Sequence, residues 1–226
     1  MKRIFMFTVI TLLALTGCIK TQKLPDGTFK GVSDADRHGY AWAEVTLEKG
    51  KITSVVLGEY DGLGREKDFA QYPYRPAAEA HALLSEAFAK LPFEDVEAVS
   101  GATLSSSKYR QAVHRAMLRA AGASGETREY FDGTFMGIAE SNQGRGIAFV
   151  TIKNDGVESV TLSEVTPEGQ LRDWDNAYEE AARARIQLQD RLRIEGLEAD
   201  VVAGATASSL LFIEAYRQAL ELARRK

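Results

Sequence analysis

Two threonines are set in surroundings suited to anion chemistry. Thr103 stands in Val99-Ser100-Gly101-Ala102-Thr103-Leu104-Ser105-Ser106. Thr206 stands 103 residues later in Val202-Ala203-Gly204-Ala205-Thr206-Ala207-Ser208-Ser209. Gly, Ala, Thr, Ser and Ser occupy the same places in both, and each stretch runs into a helical pattern. The first turn of a helix carries backbone N–H groups without intrahelical partners, and its dipole favours negative charge. Gly101, Ala102, Gly204 and Ala205 keep bulk away, so an anion can come close to the backbone. The hydroxyls of Thr103, Ser105 and Ser106, and of Thr206, Ser208 and Ser209, can serve as N-caps or bind a phosphate. A cap alone would accept Ser, Asp or Asn as readily as Thr, so the duplicated Thr favours ligand chemistry over plain capping.

The elements that position these residues also repeat. After Thr103, the residues Tyr109, Ala112, Val113, Ala116, Met117 and Ala120 form a stripe at helical spacing. Phe212, Ala215, Tyr216, Ala219, Leu220 and Ala223 match them position by position. Upstream, Asp26-Gly27-Thr28-Phe29-Lys30-Gly31 and Asp132-Gly133-Thr134-Phe135-Met136-Gly137 each read as a turn entering a strand. Period-two runs at 39–47 and 51–57, and again at 146–152 and 157–162, are joined by short Gly-containing loops and predict antiparallel hairpins. Helices are expected over 76–91 and 177–192. The predicted fold is α+β: two tandem repeats, each an antiparallel β-meander packed against helices, with the last helix opening on the Gly-Ala-Thr motif. Residues 25–122 form the first domain, 123–129 a linker and 130–226 the second.

Asp-x-x-(Ser/Thr)-Gly-Ala-Thr at a helix start resembles the attachment motif of the FMN-binding domain family. That family includes the flavin subunits of sodium-pumping quinone reductases and flavoproteins of bacterial electron export. The resemblance implies FMN held by a phosphoester to Thr103 and Thr206, one or two per chain, installed from FAD by a magnesium-dependent flavin transferase. The acid that the transferase reads would be Asp200 in the second copy, where Ala203 replaces the hydroxyl residue. In the first copy Ser100 is present but Glu97 stands where Asp is expected, so strict reading of the acid favours Thr206. The family's loop after the third strand, Glu-Thr-Pro-Gly-Leu-Gly, is partly kept in Asp61-Gly62-Leu63-Gly64 and in Val165-Thr166-Pro167-Glu168-Gly169. Tyr72, Tyr74, Trp174 and Tyr178 can either stack on an isoalloxazine ring or plug a sheet edge.

The N-terminus begins with Lys2 and Arg3, continues in the apolar run Ile4 to Leu15 and ends Leu15-Thr16-Gly17-Cys18. This reads as a lipoprotein signal peptide over 1–17, with Cys18 the lipidated residue and 18–24 a tether. Cys18 is the single cysteine, which excludes an intramolecular disulfide or a Cys-ligated iron–sulfur cluster. The chain carries a formal charge of −4, more negative still once Lys2 and Arg3 are removed, which argues against nucleic acid as a partner. His38, His81 and His114 lack metal-ligand spacing and are expected at the surface. Arg183, Arg185, Arg191 and Arg193 read as a solvated face, or else as contacts to an acidic partner or to a cofactor's polar edge. No acid–base or nucleophile set is evident, so a carrier is expected before a substrate-specific enzyme. The expected protein is a lipoprotein of the cell or outer membrane, facing the periplasm or exterior. It would pass electrons from a membrane donor, such as a quinone-linked dehydrogenase, to outside acceptors. The alternatives are non-covalent flavin or phosphate-ligand binding without redox turnover, and a structural lipoprotein whose motifs are only helix caps.

Overall fold

The computed structural model describes residues 24–122, 127–176 and 179–226. The expected signal peptide and lipidation residue Cys18, most of the expected tether, residues 123–126 of the expected linker and Tyr178 lie outside the described residues. Strands β1 (Gly27–Val32), β2 (Tyr40–Glu48) and β3 (Lys51–Tyr60) precede helix α1 (Arg75–Lys90), a 3-10 turn at Phe93–Asp95 and helix α2 (Thr103–Ala121). The same order then recurs as β4 (Gly133–Ser141), β5 (Gly144–Lys153), β6 (Gly156–Val165), α3 (Glu179–Glu195), a turn at Gly196–Glu198 and α4 (Thr206–Ala223). Each sheet is antiparallel, in the orders β1-β2-β3 and β4-β5-β6, and the architecture is α+β. The third strand of each sheet runs three residues further than its periodicity indicates, because Glu59 and Glu164 interrupt an apolar pattern while staying in the ladder.

Alternation along β2 explains why a helix must cover one face. Ala41, Ala43, Val45 and Leu47 all point into the core, while the residues between them are half-buried. Helix α2 answers with Tyr109, Ala112, Val113, Ala116 and Ala120, all buried; Met117, the sixth of the expected stripe, stays half-buried at its edge. In α4 the buried set is Phe212, Ala215, Tyr216, Ala219 and Ala223, with Leu220 again at the edge. The second glycine of each Asp-Gly-Thr-Phe-x-Gly stretch sets how closely the helix lies. A Cβ on Gly31 would stand 2.1 Å from the Ala112 carbonyl oxygen, and one on Gly137 would stand 1.8 Å from that of Ala215. Only a bare backbone lets the motif helix settle onto the first strand.

The two sets of elements share a seam. Arg115, buried on α2, donates to the Val32 carbonyl at 3.0 Å, the Asp34 carboxylate at 2.7 Å and the Asp132 carbonyl at 2.8 Å. Its guanidinium lies 4.9 Å from the centre of the Phe135 ring. Arg119, one turn on, caps carbonyls at the end of α4, reaching Leu222 O at 2.8 Å. The Ala35 N–H donates to Thr134 O at 2.8 Å, and Val32, Ala35 and Tyr40 lie in the same apolar cluster as Phe135, Met136 and Ile147. Among the described residues no helix is long and apolar enough to cross a membrane.

Candidate functional site

Both helices open on the same backbone figure. Gly101 has φ +78° and Ala102 has φ −134°, ψ 34°; Gly204 has φ +82° and Ala205 has φ −136°, ψ 39°. The left-handed glycine turns the chain, Ala102 or Ala205 takes the N-cap position, and Thr103 or Thr206 becomes the first helical residue. An alanine N-cap offers no oxygen, and neither helix has a side-chain cap. The first-turn N–H groups therefore stay available to an anion. Thr103 and Thr206 are both exposed, as are Ser100, Gly101, Gly204, Glu97 and Asp200, while Ala102 and Ala205 are buried beneath them.

The hydroxyls divide by role. Ser106 Oγ donates to the Ala102 carbonyl at 2.9 Å and accepts the Val99 N–H at 3.0 Å. Ser209 Oγ accepts the Val202 N–H at 3.1 Å. Both serines are buried, so they latch the turn that presents the threonine. Ser105 and Ser208 are half-buried, and Ser208 Oγ donates to Glu164 Oε2 at 3.3 Å. In the first copy Tyr74 is exposed and its hydroxyl donates to Gly101 O at 2.8 Å, tying the start of α1 to the motif turn.

Beneath each motif lies a buried carboxylate that the sequence reading passed over. Glu59 closes β3 and pairs with Lys67 at 2.5 Å; Glu164 closes β6 and is held by Arg172 through its Nε at 2.8 Å. Glu59 and Glu164 are each 4 % exposed. The chain folds back so that the Lys67 N–H meets Glu59 O at 2.8 Å and the Arg172 N–H meets Glu164 O at 2.7 Å. Burial works against the Lys67 charge, but the Glu59 carboxylate outweighs it and holds the ammonium above the usual lysine range. The Tyr109 hydroxyl lies buried beside Glu59, and burial, then the nearby Glu59 charge, push the tyrosine pKa up. A signal existed: an acid in phase with the inward residues Val55 and Leu57, followed eight positions later by a base, in both copies.

Other expectations need correction. His38 and His114 are exposed, but His81 is half-buried, bonded to Leu57 O at 2.7 Å and stacked on Phe69 at 4.3 Å. Its helix turns it inward against β3. Arg185 is not on a solvated face: its guanidinium lies 5.1 Å from the Trp174 ring and donates to Gln189 Oε1 at 3.2 Å. Trp174 packs on the core, its ring 6.3 Å from that of Phe212. Tyr72 is half-buried beside Phe69 and Lys67. Arg183 and Arg191 line a depression of about 440 Å³ that also borders Asp200 and Ala203. Among the described residues no group of three His, Cys, Asp or Glu is placed to hold a metal ion.

Thr103 itself lies at the rim of a cavity of about 180 Å³ between α1 and α2, floored by Leu84, Phe88 and Val96 and bordered by Glu97 and Arg110. An exposed alcohol, an uncapped helix start and an adjoining cavity together fit a phosphate ester with an organic body beyond it. Neither curated proteins nor solved structures gave a match to this chain. The family model described as FMN-binding domain matches residues 37–118, which run from the β1–β2 turn through most of α2 and include Thr103, and this match supports flavin binding by that stretch.

Proposed function

We propose that the protein is a lipid-anchored extracytoplasmic flavoprotein that carries FMN as phosphoesters of Thr103 and Thr206. In this reading it relays electrons between membrane donors and periplasmic or external acceptors. The observation that carries it is the FMN-binding domain match over 37–118, with Thr103 exposed at the first position of an uncapped helix. Attachment would use FAD as donor. The Thr Oγ–P bond forms, the pyrophosphate bond breaks, AMP leaves and the hydroxyl proton passes to solvent. A flavin transferase would supply the catalysis, reading the exposed Glu97 or Asp200 before each turn. This chain's own residues contribute the presented alcohol, the first-turn N–H groups that neutralise the ester's charge and the serine latch that fixes the turn. The bound flavin would supply one- and two-electron chemistry.

Co-expression with a flavin transferase should raise the intact mass by one or two FMN phosphoryl units. Thr103→Val and Thr206→Val should each remove one, with flavin fluorescence persisting in a denaturing gel until both are changed. An unshifted mass in the parent protein sinks the ester. The departures at Glu97 and Ala203 support a purely structural lipoprotein whose motifs are helix caps, and a colourless protein from the native host would select that; the other reading is a non-covalent flavin holder. Yellow protein whose flavin is released on denaturation would select it.

A further inference from the structure

Beyond Thr103, the same flank of α2 borders a second cleft of about 560 Å³, lined by Asp34, Phe93, Ser107, Arg110, Gln111 and His114. Ser107 and Arg110 line this cleft and the cavity at Thr103 alike, so the two adjoin along the helix. Resting on the ester reading, we infer that the isoalloxazine ring of an FMN on Thr103 lies in this cleft, with Arg110 at its polar edge and His114 near its far end.

Reach and chemistry support the seat. Eight bonds separate the Thr Oγ from the ring nitrogen that bears the ribityl chain, about 10 Å at roughly 1.2 Å per bond of extended chain. Arg110 lies seven residues beyond Thr103, also about 10 Å along the axis at 1.5 Å per residue. The ring would then span the level from Arg110 to His114. Phe93 borders this level, stacked on Phe88 and on His114 at 5.9 Å each and lying 4.6 Å from the Arg110 guanidinium. Arg110 is braced by donation to Val96 O, and the Asp34 carboxylate in the lining is bound to Arg115 at 2.7 Å. A guanidinium beside a carbonyl-rich ring edge supplies planar donors. The corresponding positions of α4 are Leu210, Ile213, Glu214 and Arg217, with Glu214 and Arg217 paired to each other at 2.6 Å. The seat therefore belongs to the first copy, and the two flavins would occupy unlike surroundings.

The test uses the full chain with Thr206→Val, loaded by the transferase so that flavin sits on Thr103 alone, and checked by mass. His114 is exposed, so a tryptophan there is tolerated. His114→Trp should lower folded-state flavin emission severalfold by indole contact, and denaturation should restore it. Arg217→Trp, the equivalent change on α4, should leave emission unaltered. Iodide should quench the loaded protein less than it quenches free FMN, and Arg110→Glu should remove much of that protection. A loaded protein with emission unchanged by His114→Trp and iodide access equal to free FMN overturns the seat while leaving the ester intact. No mass gain in Thr206→Val overturns the ester on Thr103, and the seat with it.

Discussion

Ser106 and Ser209 show how one buried hydroxyl can hold the shape of a turn. Each lies four residues beyond its buried N-cap alanine and bonds the backbone N–H at 99 or 202, so the turn cannot swing away from the helix. Replacing Ser106 with Ala leaves a half-buried N–H unmatched. That should cost about 1–3 kcal/mol in urea unfolding, with Ser209→Ala costing a similar amount. A neutral Ser106→Ala would mean that the latch is incidental. The two glycines separate strain from crowding. Gly101→Ala meets a left-handed φ and the Pro76 Cβ at 3.3 Å, whereas Gly204→Ala meets the φ alone, its nearest atom being Glu180 Cβ at 4.0 Å. The conformational term is about 1–2 kcal/mol in both. Gly101→Ala should therefore be the more destabilising of the pair, and the reverse order in denaturant midpoints would contradict this account.

The elements are held under the motif by charges as well as by apolar faces. Lys67 and Glu59 have side chains 14 % and 5 % exposed, so removing one partner strands a buried charge. Lys67→Met should cost about 3–5 kcal/mol, and adding Glu59→Gln should return a substantial part of it. No recovery in the double variant would show that packing, not charge, dominates. Lys108 on α2 reaches back to Asp36 at 2.8 Å and to Gly39 O at 2.7 Å, fastening the helix to the β1–β2 loop. Partial burial opposes ionisation of Asp36, but Lys108 and the His38 N–H prevail and hold its pKa below the ordinary 3.8. A lowered folded-state pKa means stability that is complete above 3.8 and lost as pH falls through the folded value. The midpoint gap between wild type and Asp36→Asn should thus shrink from about pH 6 to about pH 2.5. A constant gap would remove the ion pair from the ledger. Much of this layer was legible in the sequence: period-two runs gave the hairpins, and the 3.6-residue stripe gave the buried face of each motif helix. The helices α2 and α4 begin inside the repeated motif, at Thr103 and Thr206. The buried acids were not read, because the expected third strands ended at 57 and 162 and left Glu59 and Glu164 in the loop beyond them. His81 and Arg185 were misplaced because the partners that draw them in, the Leu57 carbonyl and the Trp174 ring, come from distant parts of the chain.

At the scale of the molecule, the seam decides whether the two motif helices keep a fixed relation to each other. The first set of elements lends Val32, Ala35 and Tyr40 to the apolar cluster of the second, and Arg115 satisfies carbonyls on both sides at once. Opening the seam would expose that apolar surface and leave buried carbonyls unmatched, so partial unfolding is costly and a single cooperative transition is expected. The two tryptophans make this measurable. Trp42 reports on β2 and Trp174 on the loop after β6. Trp174→Phe and Trp42→Phe leave one reporter each, and the fluorescence midpoints of the two variants in urea, each corrected against far-UV circular dichroism on the same sample, should coincide. Arg115→Met should lower both midpoints together, by about 1–3 kcal/mol in stability. Reporters that melt apart in the single-tryptophan proteins would mean that the halves are independent, and that the clamp does not set the geometry between Thr103 and Thr206.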